Sequence, residues 1–182
     1  RAFAILACFS LRTPTRTLND ICAATGLPKP TVFRLLDALE EARFVARTAD
    51  KQSYEIGIRA FELGSLFLSN LSIERAARPV MEALSRQLNM ACNLAILDDG
   101  KVMYVAITDP LAPPLQRTIV GYRHFVHCSA LGKSLICTLP EDEVRSILKR
   151  HGMPAKSPRT LTDPDALLAD LARVRQRGYA LD

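Results

Sequence analysis

No apolar run in this 182-residue chain approaches the ~20 residues needed to cross a bilayer, and no signal-peptide pattern opens it. A cytoplasmic protein with no membrane partner is expected. Histidine occurs only three times. His124, His127 and Cys128 lie close together but lack a fourth ligand, so neither a metal nor a cofactor is expected. No serine-histidine-acid arrangement can be assembled. Asp98-Asp99 belongs to a turn rather than to a pair of catalytic acids. The five cysteines are odd in number, widely spaced and set among apolar residues. That excludes a disulfide scaffold and points to reduced, buried thiols.

A glycine is missing where it matters most. The stretch "HCSALGKS" (127–134) ends like a phosphate-binding loop and runs into the apolar "LICTL". Such a loop needs a second glycine five residues before Gly132, because its backbone N–H groups curl around phosphate in conformations a side chain obstructs. His127 stands there instead. The small-residue turn therefore has some purpose other than binding a nucleotide.

What is present suffices for two small domains. Apolar residues make up 48 % of the chain, charged residues 24 %, and the net charge is +5. Residues 1–34 carry Arg1, Arg12, Arg16, Lys29 and Arg34 against Asp20 alone, so most of the excess lies at the N-terminal end. Arg1 rather than methionine opens the chain, and the final "YALD" reads as a strand just beginning. Further residues are therefore expected at both ends.

Along the chain, residues 1–10 read as an amphipathic helix. Thr17 and Asp20 form a capping box before a second helix, with Leu18, Ile21 and Cys22 on its apolar face and Gly26 at its end. A third helix starts at Pro28 and Pro30 and buries Val32, Leu35, Leu36 and Leu39 at helical spacing. Residues 44–57 change to a two-residue period and read as two short strands joined near Asp50. Residues 58–71 form a helix that is apolar around more than half its circumference, with the domain boundary near 70–72. Beyond it come an amphipathic helix interrupted or started by Pro79, and a hairpin turning at Asp99-Gly100. The stretch "LAPPLQ" reads as a loop, and "LQRTIVG" as a third strand. A short helix capped by Ser129 follows, then two helices with acids at their starts and basic residues with glycine at their ends.

The spacing Cys22-x3-Gly26-x5-Val32-x2-Leu35 fits a helix-turn-helix. It puts a small residue where two helices touch, a glycine in the turn and apolar residues on the inner side of the second helix. With the strand pair as a wing, the first turns of the third helix would enter a DNA major groove. Lys29 and Thr31 suit phosphate oxygens, Arg34 a guanine edge or phosphate, and Phe33 a thymine methyl. Arg47 and Lys51 of the wing would reach backbone or minor groove.

These stretches resemble the IclR family of bacterial transcriptional regulators. "TGLPKPTVFRLLDALEEARFV" is similar to its recognition helix, and "SYEIGIRAFELG" to its second wing strand and linker helix. "VGYRHFVHCSALGKSLICTLP" and "DLARVRQRGYALD" are similar to segments of its effector domain. Arg43 stands where the family commonly has glycine, and Phe125 where it commonly has proline. The resemblance implies an α+β protein of three parts. These are a winged helix-turn-helix domain (1–57), a linker helix (58–71) and an effector-binding domain with a curved antiparallel sheet (72–182), whose sheet is incomplete at Asp182. It implies a homodimer or dimer of dimers on a double-stranded operator. It also implies a small-molecule effector, often a carboxylate, at Ser129, Ala130, Leu131 and Gly132. Lys133, one residue beyond that turn, is expected to face solvent.

Two functions follow from these features. One is a DNA-binding regulator controlled by a small acid. The other is an enzyme acting on a small acid, with the helix-turn-helix serving only assembly. DNA binding would favour the first and turnover of a bound acid the second.

Overall fold

The computed structural model describes residues 1–109 and 120–182. The chain divides into two compact units, Arg1–Leu71 and Ser72–Asp182.

The first unit runs α1 (Ala2–Leu6), β1 (Thr15–Arg16), α2 (Leu18–Thr25), α3 (Lys29–Glu41), β2 (Val45–Arg47), β3 (Tyr54–Ile56) and α4 (Ile58–Asn70). α2 begins in the capping box: the Asp20 amide donates to the Thr17 hydroxyl at 3.2 Å, and the Thr17 amide donates to the Asp20 carboxylate at 2.9 Å. The Thr17 amide and the Thr17 hydroxyl, which donates to the same carboxylate at 2.8 Å, hold the Asp20 carboxyl below the usual carboxylate range. Gly26 closes the helix in the left-handed conformation at φ 66°. Ile5, Ile21, Val32 and Leu36 are wholly buried where the three helices meet. Each contributes about 1.5–3 kcal/mol relative to an exposed side chain. Leu35 is only partly buried.

α1 is shorter than its periodicity suggests. Ser10 and Thr13 bond to each other through backbone and hydroxyls, and this local pairing turns the chain back before the helix can extend. The returning segment supplies β1, a strand not read from sequence, which pairs antiparallel with β3. The wing is therefore a three-stranded sheet of order β1-β3-β2.

The second unit runs α5 (Ser72–Leu88), β4 (Cys92–Asp98), β5 (Lys101–Thr108), β6 (Arg123–Phe125), α6 (Ala130–Ile136), α7 (Glu141–His151) and α8 (Pro164–Arg177). α5 runs straight through Pro79, which lies exposed, so water can reach the carbonyl that loses its helical donor. The hairpin turn has positive φ at both Asp99 (48°) and Gly100 (68°), as a two-residue hairpin with right-handed twist requires. The sheet is antiparallel, of order β4-β5-β6. Among the described residues its third strand is Arg123–Phe125. Val120 and Gly121 form a turn, while residues 115–119 and the "LAPPLQ" loop lie outside the described residues. Ala95, Val102, Val126, Ile136, Val144, Leu167 and Leu171 form the core between this sheet and α6–α8. Tyr179–Asp182 is not a strand. All five cysteines are free. No helix among the described residues is long and apolar enough to cross a membrane.

Candidate DNA interface and effector turn

The three-residue turn from Gly26 to Pro28 presents the start of α3. Pro28 caps the helix and Pro30 sits in its first turn, where a missing N–H costs little. Val32, Leu36 and Leu39 anchor one face in the core. Lys29, Phe33 and Arg34 are exposed on the other, and Thr31 is half-buried beside them. Phe33 keeps 44 % of its surface in solvent, high for an aromatic ring without a partner to cover it.

The wing presents Lys51 at its tip, at φ 58° and exposed. Asp50 braces that tip by accepting from the Thr48 hydroxyl at 2.6 Å and the Gln52 amide at 3.0 Å. Both bonds lower its pKa. Arg47, expected to reach DNA backbone or minor groove, has partners within its own unit. Its Nε donates to Glu40 at 3.1 Å, its Nη2 lies 3.7 Å from Asp37, and its guanidinium stacks 5.0 Å from the Tyr54 ring centroid. It ties the wing to α3.

Arg43, between α3 and β2, has φ 62°. Its carbonyl accepts the Arg59 amide at 3.1 Å, and the Phe44 carbonyl accepts the Gly57 amide at 2.8 Å. A Cβ on Gly57 would lie 2.2 Å from the Arg43 oxygen, so glycine is what lets α4 start this close to the end of α3. None of α4's residues is buried within its unit; Phe61 is 70 % exposed, Leu66 59 % and Phe67 52 %.

The turn expected to receive an effector follows β6 and a single 3-10 turn, Val126–Cys128. Ser129 caps α6, its hydroxyl accepting the Gly132 amide at 3.0 Å and its carbonyl accepting the Lys133 amide at 3.0 Å. Among the described residues, the Ala130 and Leu131 amides have no acceptor. Gly132 lies against the preceding backbone: a Cβ there would be 2.3 Å from the Val126 oxygen. This glycine serves close packing.

Three side chains around the turn are buried. His127 is fully buried. Its Nε2 lies 3.1 Å from the Pro154 carbonyl, which can only accept, so Nε2 carries the proton and Nδ1 is a buried acceptor without a partner among the described residues. Burial pushes its pKa down. Cys128 is buried, with its sulfur 3.4 Å from Nδ1 of the half-buried His124, and burial pushes its thiol pKa up. Lys133 does not face solvent. Its ammonium lies 3.0 Å from the Asp170 carboxylate on α8 and donates to the Leu181 carbonyl at 3.0 Å. Burial raises the Asp170 pKa, but Lys133 and Arg173 outweigh it and leave the carboxyl below its ordinary value. Sequence reasoning missed this pair although the signal was present. Asp170 occupies a core position of α8, in series with Leu167, Leu171 and Val174. A buried acid at helical spacing calls for a buried cation. No group of three or more potential metal ligands occurs among the described residues.

Residues 1–49 match the family model described as the IclR helix-turn-helix domain, and residues 65–182 the one described as the bacterial transcriptional regulator IclR C-terminal domain. The chain is 31 % identical over 181 residues to the HTH-type transcriptional regulator KipR of Bacillus subtilis, covering 100 % of this chain and 72 % of that protein. An IclR homolog from Microbacterium hydrocarbonoxydans, solved in complex with 4-hydroxybenzoate, superposes with a TM-score of 0.81 at 27 % identity, over 98 % of this chain and 74 % of its own. The IclR transcriptional regulator from Alicyclobacillus acidocaldarius gives a TM-score of 0.82 at 25 % identity, over 98 % and 74 %.

Proposed function

Because the chain belongs to the IclR family of bacterial transcriptional regulators, we propose that it binds a two-fold symmetric operator as a homodimer or dimer of dimers, and that a small carboxylate adjusts this binding. The observation that carries the reading is the start of α3. It leaves Lys29, Thr31, Phe33 and Arg34 on the outer side of a helix whose inner side is fixed in the core. In the proposed complex Arg34 meets a base edge or phosphate, Lys29 and Thr31 hold phosphate, Phe33 meets a thymine methyl, and Lys51 follows the flanking backbone. Arg47 acts through its grip on Glu40 and Asp37, setting the angle of the wing against α3. The relatives are named as regulators and repressors, which leaves the small-acid enzyme without support.

The exposed Phe61, Leu66 and Phe67 of α4 supply the pairing surface. Two such helices packed together would hold two copies of α3 about one DNA turn, ~34–36 Å, or a multiple of it apart. The carboxylate would sit at the turn Ser129, Ala130, Leu131 and Gly132. The Ala130 and Leu131 amides are its donors, since the Gly132 amide is already engaged by Ser129. Each charge-assisted bond contributes about 1.5–3 kcal/mol. The effector must favour one DNA-affinity state, and a coupling of ~1–3 kcal/mol changes operator affinity about 5- to 150-fold.

The test is electrophoretic binding to the DNA upstream of neighbouring genes, with and without a panel of small carboxylates that includes 4-hydroxybenzoate. One member should shift operator affinity at least about 5-fold. Leu131→Pro, which deletes one amide donor, should abolish the shift and leave unliganded binding in place. A response that survives Leu131→Pro places the effector elsewhere.

A further inference from the structure

The turn proposed to receive the effector is pressed between two fixed neighbours. On one side Gly132 packs on the Val126 backbone so closely that no Cβ fits. On the other, the next residue sends its side chain inward. The Lys133 ammonium reaches the Asp170 carboxylate of α8 and the main-chain carbonyl of Leu181, and both side chains are about nine-tenths buried (10 % and 11 % exposed). Asp170 accepts in addition from Arg173 at 3.3 Å. Three separate stretches of chain thus meet at one ammonium, one residue beyond the turn. A buried ion pair is a costly way to hold a fold together, since a well-packed apolar pair of similar volume is often as stable or more so. Its distinctive property is direction: the ammonium's three donors fix angles that an aliphatic contact leaves free.

We propose that Lys133 is the positioning residue of the effector turn. It does not touch the ligand. By fastening α6 to α8 and to the backbone at Leu181, it holds Ser129 over the first turn of α6 and keeps the Ala130 and Leu131 amides aimed outward. Effector occupancy and the placement of the segment after α8 are then coupled through one side chain. The effector role of the turn rests on the function proposed above, whereas the clamp itself is tested without any ligand.

The experiment is amide hydrogen exchange by NMR on the ligand-free chain, read at Gly132 and Lys133, whose amides bond to Ser129. Thermal unfolding is measured alongside, on Lys133→Arg, Lys133→Met and the double variant Lys133→Met/Asp170→Leu. Lys133→Arg keeps a donor toward Asp170 and should leave exchange within about 3-fold of the parent. Lys133→Met should speed both amides by at least about 10-fold well below its unfolding midpoint, a factor that corresponds to 1.4 kcal/mol of lost local stability. The double variant removes both charges, so its midpoint should return towards the parent value while both amides stay fast. It also keeps the test usable if Lys133→Met fails to fold. Parent-like exchange in Lys133→Met, or recovery of midpoint and slow exchange together in the double variant, would overturn the proposal. If the clamp behaves as stated but no carboxylate in the panel slows exchange in the parent chain, Lys133 still positions the turn and the carboxylate reading alone falls.

Discussion

Replacing Gly132 with alanine adds one methyl group at the most confined glycine of the second unit. The new carbon would lie 2.3 Å from the Val126 oxygen, 2.6 Å from its Cα and 2.7 Å from its carbonyl carbon. All three are backbone atoms, so no side chain can rotate away. Either α6 or the 3-10 turn must shift. Overpacking of this kind costs about 1–3 kcal/mol. The shift also pulls the Gly132 amide from Ser129, adding about 0.5–1.5 kcal/mol. A combined loss of roughly 2–4 kcal/mol in a unit of this size lowers the melting temperature by roughly 8–16 °C. Scanning calorimetry should show the transition of the Ser72–Asp182 unit moving by that much. Gly64→Ala is the control. Nothing lies within 4 Å of its added carbon and the position is helical, so the first unit should hold or gain up to about 1 kcal/mol. A drop below about 2 °C for Gly132→Ala would refute the packing argument. It would reopen the question of why the turn carries glycine.

Three further outcomes are expected. Arg43 pays the left-handed penalty at φ 62°, so Arg43→Gly should stabilise the first unit by up to about 1 kcal/mol in urea denaturation, and a loss would show that its side chain matters more than its backbone. The folded-state pKa of His127 is depressed by burial, so the unfolded chain takes up a proton the folded one refuses. Stability should then fall as pH drops below about 6.5, and His127→Gln should flatten that decline; an unchanged slope would mean the ring is protonated in place. Phe61→Glu should shift sedimentation toward monomer and weaken binding to a two-half-site operator more than to a single half-site, whereas an intact dimer would remove α4 from the pairing surface.

The first unit was the more legible in sequence because its determinants are local. The Thr17–Asp20 box, the Gly26 stop and the Val32–Leu36–Leu39 stripe each act within a few residues, and each appears in the structure. β1 was not legible, because it forms only when the chain turns back at Ser10–Thr13 and meets β3, some forty residues on. The same limit hid the occupation of Arg47. Its partners, Glu40 and Asp37, look like ordinary solvated helix charges until the wing folds over them. The burial of Lys133 is a long-range effect, since a residue just past a turn has no local reason to be buried, and only Asp170 among the core positions of α8 calls for a buried cation there. Arg43 shows the reverse: a departure from the family's glycine was visible in sequence, and the backbone keeps the left-handed conformation regardless.

Whether the exposed side of α3 reads DNA turns on Arg34. Binding of the full chain and of Arg34→Ala to the same operator should be titrated across a salt series, with a scrambled duplex as reference. A base contact predicts a loss of about 1–3 kcal/mol confined to the operator. A phosphate contact predicts an equal loss on both duplexes and a shallower salt slope. Unchanged affinity at both low and moderate salt would contradict the account.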